Sequence, residues 1–144
     1  MIYTEQTKKA LKLCFEAHKE QVDKSGMPYV FHPFHLAEQM KDEVTCTTAL
    51  LHDVVEDTDY TLEDLRAMGV EAAVIDALTL LTHDPSEPYM DYVARIKDNP
   101  VAKAVKLADL KHNSDRTRLA PHEINERVIA REKKYKAAIR LLKK

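Results

Sequence analysis

Leu50-Leu51-His52-Asp53-Val54-Val55-Glu56-Asp57-Thr58 is an apolar segment that carries four metal-binding or proton-transfer groups within six residues. Leu50, Leu51, Val54 and Val55 recur at three- and four-residue spacings, the pattern of a buried helix face. On one continuous helix, His52 would lie a turn from Glu56, and Asp53 a turn from Asp57, so each pair would project from the same side. A carboxylate beside a core face is costly to bury unless its charge is compensated. A bound cation is one such compensation, so this stretch raises the metal hypothesis on energetic grounds. An adjacent His-Asp pair is common by itself, and the other ligands have to come from elsewhere in the chain.

The 144 residues suit one domain, and the 44% hydrophobic and 32% charged content is that of a globular chain. Only 2 glycines and no tryptophan are present, which argues against a turn-rich β fold and for an all-α bundle. The net charge of −2 and the pI near 6.4 give no electrostatic reason to expect nucleic acid as a partner. The apolar runs are too short to span a bilayer and no signal-peptide core opens the chain, so no membrane partner is expected. Cys14 and Cys46 lack CxxC spacing and read as small core residues in a reducing, cytoplasmic setting.

Outward from the organising stretch, Thr4 caps a helix to about Glu20 with Ala10, Leu11, Leu13, Cys14, Phe15 and Ala17 on its inner face. His18 reads as a packed helix-end histidine. Asp23-Lys24-Ser25-Gly26-Met27-Pro28 is turn chemistry. Lys24 is either a solvated loop lysine or a phosphate contact. Pro33 opens a short helix to about Lys41, which places His32 at the helix entrance, outside regular backbone, with His35 a second candidate. The stretch from Glu43 to Asp57 contains the organising helix, which Thr58-Asp59-Tyr60-Thr61 breaks. Thr61-Leu62-Glu63-Asp64 has the form of a capping box for a short helix to Met68, ended by Gly69. Helices follow over about 71–82 and Tyr89–Lys97, separated by a loop whose His83-Asp84 pair reads as non-ligating. Asn99 and Pro100 start a largely apolar helix into which Asp109, and Asn113 one turn later, are inserted on one side. Pro121-His122-Glu123 opens the last helix, with Val128, Ile129, Tyr135, Ala138 and Leu142 among its inward residues and a solvated basic face.

His32, His52, Asp53 and Asp109 are therefore the expected ligand set. Two imidazoles and two carboxylates suit Mn²⁺, Fe²⁺ or Zn²⁺ better than a thiolate-seeking ion. Four protein ligands on an octahedral ion leave positions for water and substrate, and a bound water becomes acidic enough to act near neutral pH.

His32…His52-Asp53…Asp109 resembles the H…HD…D pattern of HD-domain metal-dependent phosphohydrolases. Ala17-His18-x-x-Gln21, Lys24-Ser25-Gly26-x-Pro28-Tyr29-x-x-His32-Pro33, Ala49-Leu50-Leu51-His52-Asp53-x-x-Glu56-Asp57-Thr58 and Lys106-Leu107-Ala108-Asp109-x-x-His112-Asn113 resemble the hydrolase domain of RelA/SpoT-type alarmone enzymes. The likeness runs from about residue 5 to residue 118, and the Tyr135-Lys136 helix is similar to that family's closing helix. It implies an all-α HD-domain bundle over residues 1–144, with no room for a synthetase domain, as in stand-alone small alarmone hydrolases. It implies Mn²⁺ on His32, His52, Asp53 and Asp109, with Glu56 and Asp57 positioning or deprotonating the attacking water. Lys24 would contact phosphate, Tyr29 would shape the pocket, and Asn113 would contact the nucleoside. The implied reaction is hydrolysis of the 3′-pyrophosphate of (p)ppGpp to GDP or GTP and pyrophosphate.

Two departures bear on the substrate. Asp23 stands where the family usually has an arginine able to stack on guanine, and an acidic group there would repel phosphate. Ser114-Asp115-Arg116-Thr117 replaces the family's Met-Arg-Thr-Leu, with Arg116 as a replacement cation. Asp23 leaves open a phosphohydrolase of another nucleotide, such as NADPH or a nucleoside phosphate. A non-catalytic nucleotide-binding or partner-binding module is the third reading, opposed by the retained Glu56-Asp57 pair. Oligomeric state is not legible from the residues.

Overall fold

Thr4 starts the first helix by accepting the Thr7 backbone N–H at 3.1 Å, while Thr7 Oγ1 accepts the Thr4 N–H in return. In the computed structural model, which describes residues 1–144, this cap leads into α1 (Glu5–His18). The remaining helices are α2 (Phe31–Glu38), α3 (Glu43–Leu51), α4 (Val54–Asp57), α5 (Leu62–Ala67), α6 (Ala72–Leu81), α7 (Tyr89–Ile96), α8 (Pro100–Asn113) and α9 (Glu126–Lys143). There is no strand; the one β feature is an isolated bridge between Val22 and Pro28. The fold is the all-α bundle expected from the low glycine content. No helix is long and apolar enough to cross a membrane.

The organising segment is central. α3 packs against α1, α2, α6 and α8, and Thr45 through Leu51 are all buried. Its two innermost hydroxyls are satisfied within the helix: Thr47 donates to the Glu43 carbonyl and Thr48 to the Val44 carbonyl, each at 2.8 Å. Leu50, Leu51, Val54, Leu36, Leu78, Val93, Ile96, Val105 and Leu110 meet around it in one core. Both cysteines are free and buried within it, as expected.

Four local readings are corrected. The helix expected over Glu43–Asp57 is broken at His52-Asp53, where Asp53 has φ −106° and ψ 0°. The physical reason is a competing donor: His52 Nδ1 donates to the Ala49 carbonyl at 2.7 Å, the acceptor that a continuing helix would give to the Asp53 N–H. His32 lies inside the first turn of α2, because that helix begins two residues before Pro33 rather than at it. The last helix begins after Asn125, whose side chain accepts the N–H groups of Arg127 and Val128; Pro121–Glu123 forms only a 3₁₀ turn. Phe15 and Ile129 face solvent, not the core.

Candidate metal centre

The break in the organising helix turns His52 inward. Its ring is buried, and because a carbonyl only accepts, the bond to Ala49 fixes the proton on Nδ1. Nε2 is then aimed at carboxylates: it lies 3.1 Å from Asp53 Oδ2 and 3.6 Å from Asp109 Oδ1, yet has no hydrogen-bond partner. A bare lone pair there would face two anionic oxygens. Burial disfavours a charged ring, but Asp53 and Asp109 outweigh it and raise the His52 imidazole well above its ordinary value. The pocket thus demands a positive charge at Nε2, as a proton or as a cation.

His32 approaches from α2 and Asp109 from α8. His32 Nε2 is 2.9 Å from Asp109 Oδ1, and its Nδ1 is 2.7 Å from Nδ1 of His112. The two imidazoles are nearly parallel, 4° apart, with centroids 5.0 Å apart. Partial burial, then Arg118 and His32, push His112 down to about 4. A neutral His112 can accept from His32 Nδ1 and leave His32 Nε2 as a donor atom for a metal.

Asp109 is held on both oxygens. Lys106 Nζ donates to Oδ2 at 2.9 Å and Asn113 Nδ2 to Oδ1 at 3.0 Å. Burial alone would raise the Asp109 carboxyl, but Lys106 and the two histidines outweigh it and hold the carboxyl well below the usual range. Lys106 is itself half-buried beside the Tyr89 and Tyr92 rings. Tyr29 OH donates to Asp53 Oδ2 and fixes that carboxylate next to His52.

Ligand atoms of His32, His52 and Asp109 lie within 4.8 Å of one another, which makes a candidate His/Asp metal site. Two borderline nitrogen donors, one of them the orphaned His52 Nε2, and one firmly ionised carboxylate fit a divalent first-row ion. Asp53 adjoins this group through His52 rather than belonging to the tight three. Glu56 and Asp57 stand on α4, just past the break. Glu56 accepts the His83 backbone N–H at 2.9 Å. Partial burial, then Asp53 and Glu56, push Asp57 up to about 6.

A cavity of about 360 Å³ opens beside His32, and Lys24, Tyr29 and Asn113 all stand on its wall. Arg116 does not: its guanidinium grips Glu132, with Nε 3.0 and 2.9 Å from the two carboxylate oxygens. The replacement cation on the wall is Arg118. Lys106 and His112 also serve the centre, although the ligand pattern by itself does not single them out. Their signal was spacing: Lys106, Asp109, His112 and Asn113 fall on one side of a helix.

No protein-family model matches the chain. It is 34% identical over 134 residues to a GTP pyrophosphokinase of Streptomyces coelicolor (strain ATCC BAA-471 / A3(2) / M145), covering 85% of this chain and 16% of that protein. It is 35% identical over 141 residues to a probable guanosine-3′,5′-bis(diphosphate) 3′-pyrophosphohydrolase of Synechocystis sp. (strain ATCC 27184 / PCC 6803 / Kazusa), covering 88% of this chain and 18% of that one. A solved structure described as a metazoan ortholog of SpoT that hydrolyzes ppGpp superposes with a TM-score of 0.73 at 25% identity, over 99% of this chain and 85% of that one. The chain belongs to the RelA/SpoT-type HD-domain family. It spans 16% and 18% of the two curated relatives named here. In this HD domain, the family's H…HD…D residues are the ones that the fold draws toward His52.

Proposed function

We propose that this HD domain, as one unit over residues 1–144, hydrolyses the 3′-pyrophosphate of (p)ppGpp, releasing GDP or GTP and pyrophosphate. The observation that carries the reading is His52 Nε2: a buried nitrogen with no hydrogen-bond partner, aimed at two carboxylates beside a second histidine. His32, His52, Asp53 and Asp109 would hold a divalent ion, Mn²⁺ foremost. When bound, that ion supplies an acidified water and offsets phosphate charge in the transition state.

The chain's own residues do the rest. Lys106 and Asn113 hold the Asp109 carboxylate, and Tyr29 holds Asp53. The His83 N–H orients Glu56, while Asp57, near its titration midpoint at pH 6, takes the water's proton. Water's hydroxyl goes to the phosphorus and its proton ends on the 3′ oxygen as the phosphorus–oxygen bond breaks. Lys24 on the cavity wall would meet a phosphate, while Tyr29 and Asn113 line the same cavity and reach Asp53 and Asp109. A small-molecule nucleotide is therefore the proposed partner.

The test is pyrophosphate release from ppGpp with and without Mn²⁺, using the wild type and Asp53→Ala. Mn²⁺-dependent release that Asp53→Ala abolishes is the expected result. Asp23 on the cavity wall favours a second reading, another nucleotide substrate on the same centre. Turnover of NADPH or a nucleoside phosphate, with none of ppGpp, would replace the first reading by the second.

A further inference from the structure

The cavity beside the centre has chemically distinct parts. Its wall includes His32 and Asn113, the cations Lys24 and Arg131, and the apolar side chains Val22, Leu119 and Val128. Asp23 and Arg118, chain neighbours of Val22 and Leu119, stand on the same wall.

Asp23 uses only half of its carboxylate to build its own loop. Oδ1 accepts the N–H groups of Ser25 at 2.8 Å and Met27 at 3.0 Å. Oδ2 makes no hydrogen bond and lies 3.7 Å from Arg118 Nη2, too far for one. Arg118 is likewise half used. Nη1 donates to the His112 carbonyl at 2.9 Å and lies 3.5 Å from Asn113 Oδ1, while Nη2 has only the distant Asp23. The two segments are locked together independently of this pair, because Ser25 Oγ lies 3.1 Å from the Arg118 carbonyl and 2.9 Å from Glu123 Oε2. Asp23 and Arg118 therefore present one free acceptor and one free donor, side by side and fixed, next to an apolar wall.

We propose that the Asp23–Arg118 couple is the base-reading element of this pocket, taking a flat nucleobase edge that carries an acceptor beside an N–H donor. The ring carbonyl or nitrogen accepts from Arg118 Nη2, and the ring N–H donates to Asp23 Oδ2. Val22 and Leu119 cover the ring, while Lys24 and Arg131 remain for phosphate. The inference rests on the nucleotide reading above and deepens it. It also gives Asp23 a use: its charge is offset by Arg118, and its free oxygen faces a base rather than a phosphate. Charge-assisted bonds of this kind are about twice as strong as neutral ones, so losing one weakens binding by roughly tenfold or more.

The experiment is calorimetric titration of GDP, in buffer containing Mn²⁺, into the wild type, Arg118→Ala, Arg118→Lys and Asp23→Asn. Ribose 5-phosphate is measured in each by its displacement of GDP. GDP is the product nucleotide, so its binding is read without any turnover, and failure of the hydrolase reading leaves this readout intact. The expected result is a wild-type preference for GDP over ribose 5-phosphate of at least roughly tenfold, largely lost in the variants, with ribose 5-phosphate changed less than about twofold. A purely structural tie between the two segments would weaken both ligands together, and that overturns the proposal. So does a wild type with no preference for GDP, or variants that keep it. Arg118→Lys preserves the charge and loses the fork, so it decides the matter if Arg118→Ala does not fold.

Discussion

The chain contains two His-Asp pairs, His52-Asp53 and His83-Asp84, and they have opposite fates. In the first, the histidine is buried, its Nδ1 is spent on a helix carbonyl, and its Nε2 is left facing carboxylates. In the second, one ring nitrogen and one carboxylate oxygen are taken up within the loop itself. His83 Nε2 donates to the Glu87 carbonyl at 2.8 Å, and Asp84 accepts from the N–H and hydroxyl of Ser86, each at 2.9 Å. The dipeptide therefore carries no chemistry of its own. What matters is whether the surroundings satisfy it or leave a charge outstanding. The second pair touches the segment just past the first, since the His83 backbone N–H holds Glu56.

Removing the outstanding charge should have the largest effect. His52→Ala should cost on the order of 10²- to 10³-fold or more in Mn²⁺-dependent turnover, and metal per chain, measured by elemental analysis, should fall toward zero. Retained stoichiometric metal would mean that the first pair is as inert as the second. Next comes Lys106→Met, which strips the cation from buried Asp109. It should destabilise the metal-free protein by about 3–5 kcal/mol in urea unfolding, and by less with Mn²⁺ present, because a second cation then faces Asp109. Equal losses in both conditions would show that no cation reaches Asp109.

His112→Phe keeps an aromatic ring beside His32 but removes its nitrogen partner. Metal affinity should fall by about 10- to 100-fold while the melting transition stays cooperative. Asp57 gives a pH signature. Its carboxyl titrates near 6, above its ordinary 3.8, so it is protonated below that pH and charged above it. Turnover should therefore fall on the acid side, and Asp57→Asn should remove that limb. In NMR titration the metal-free midpoint should lie near 6 and move down when diamagnetic Zn²⁺ is added. The smallest effect belongs to the second pair. His83→Ala loses one hydrogen bond, about 1 kcal/mol of stability, and should leave metal content unchanged because the N–H that holds Glu56 is backbone.

Much of this was legible in one dimension because the signals are local. The Thr4 and Thr61 caps, Asn99-Pro100, and the apolar spacing of α6 and α8 each depend on residues within a turn or two. The break at His52-Asp53 was not legible, since it arises from a side chain competing with the backbone for one carbonyl. Arg116 and Arg118 differ by two positions, and only the fold decides that one grips Glu132 while the other faces the cavity. Phe15 and Ile129 are exposed, and which flank of a helix other elements cover is a tertiary property that periodicity does not encode.

The amino-acid sequence by itself determined an all-α chain with charged ligand types set into apolar helices, because helical periodicity and capping are short-range properties. The tertiary structure decided which of those charges meet. His32 and Asp109 are 77 residues apart in sequence, yet their side chains lie 2.9 Å apart. Lys106 and His112 gain their roles from the same convergence. Long-range packing sets such distances, and electrostatic interaction in a buried site depends on distance and on the exclusion of water, neither of which the order of residues specifies.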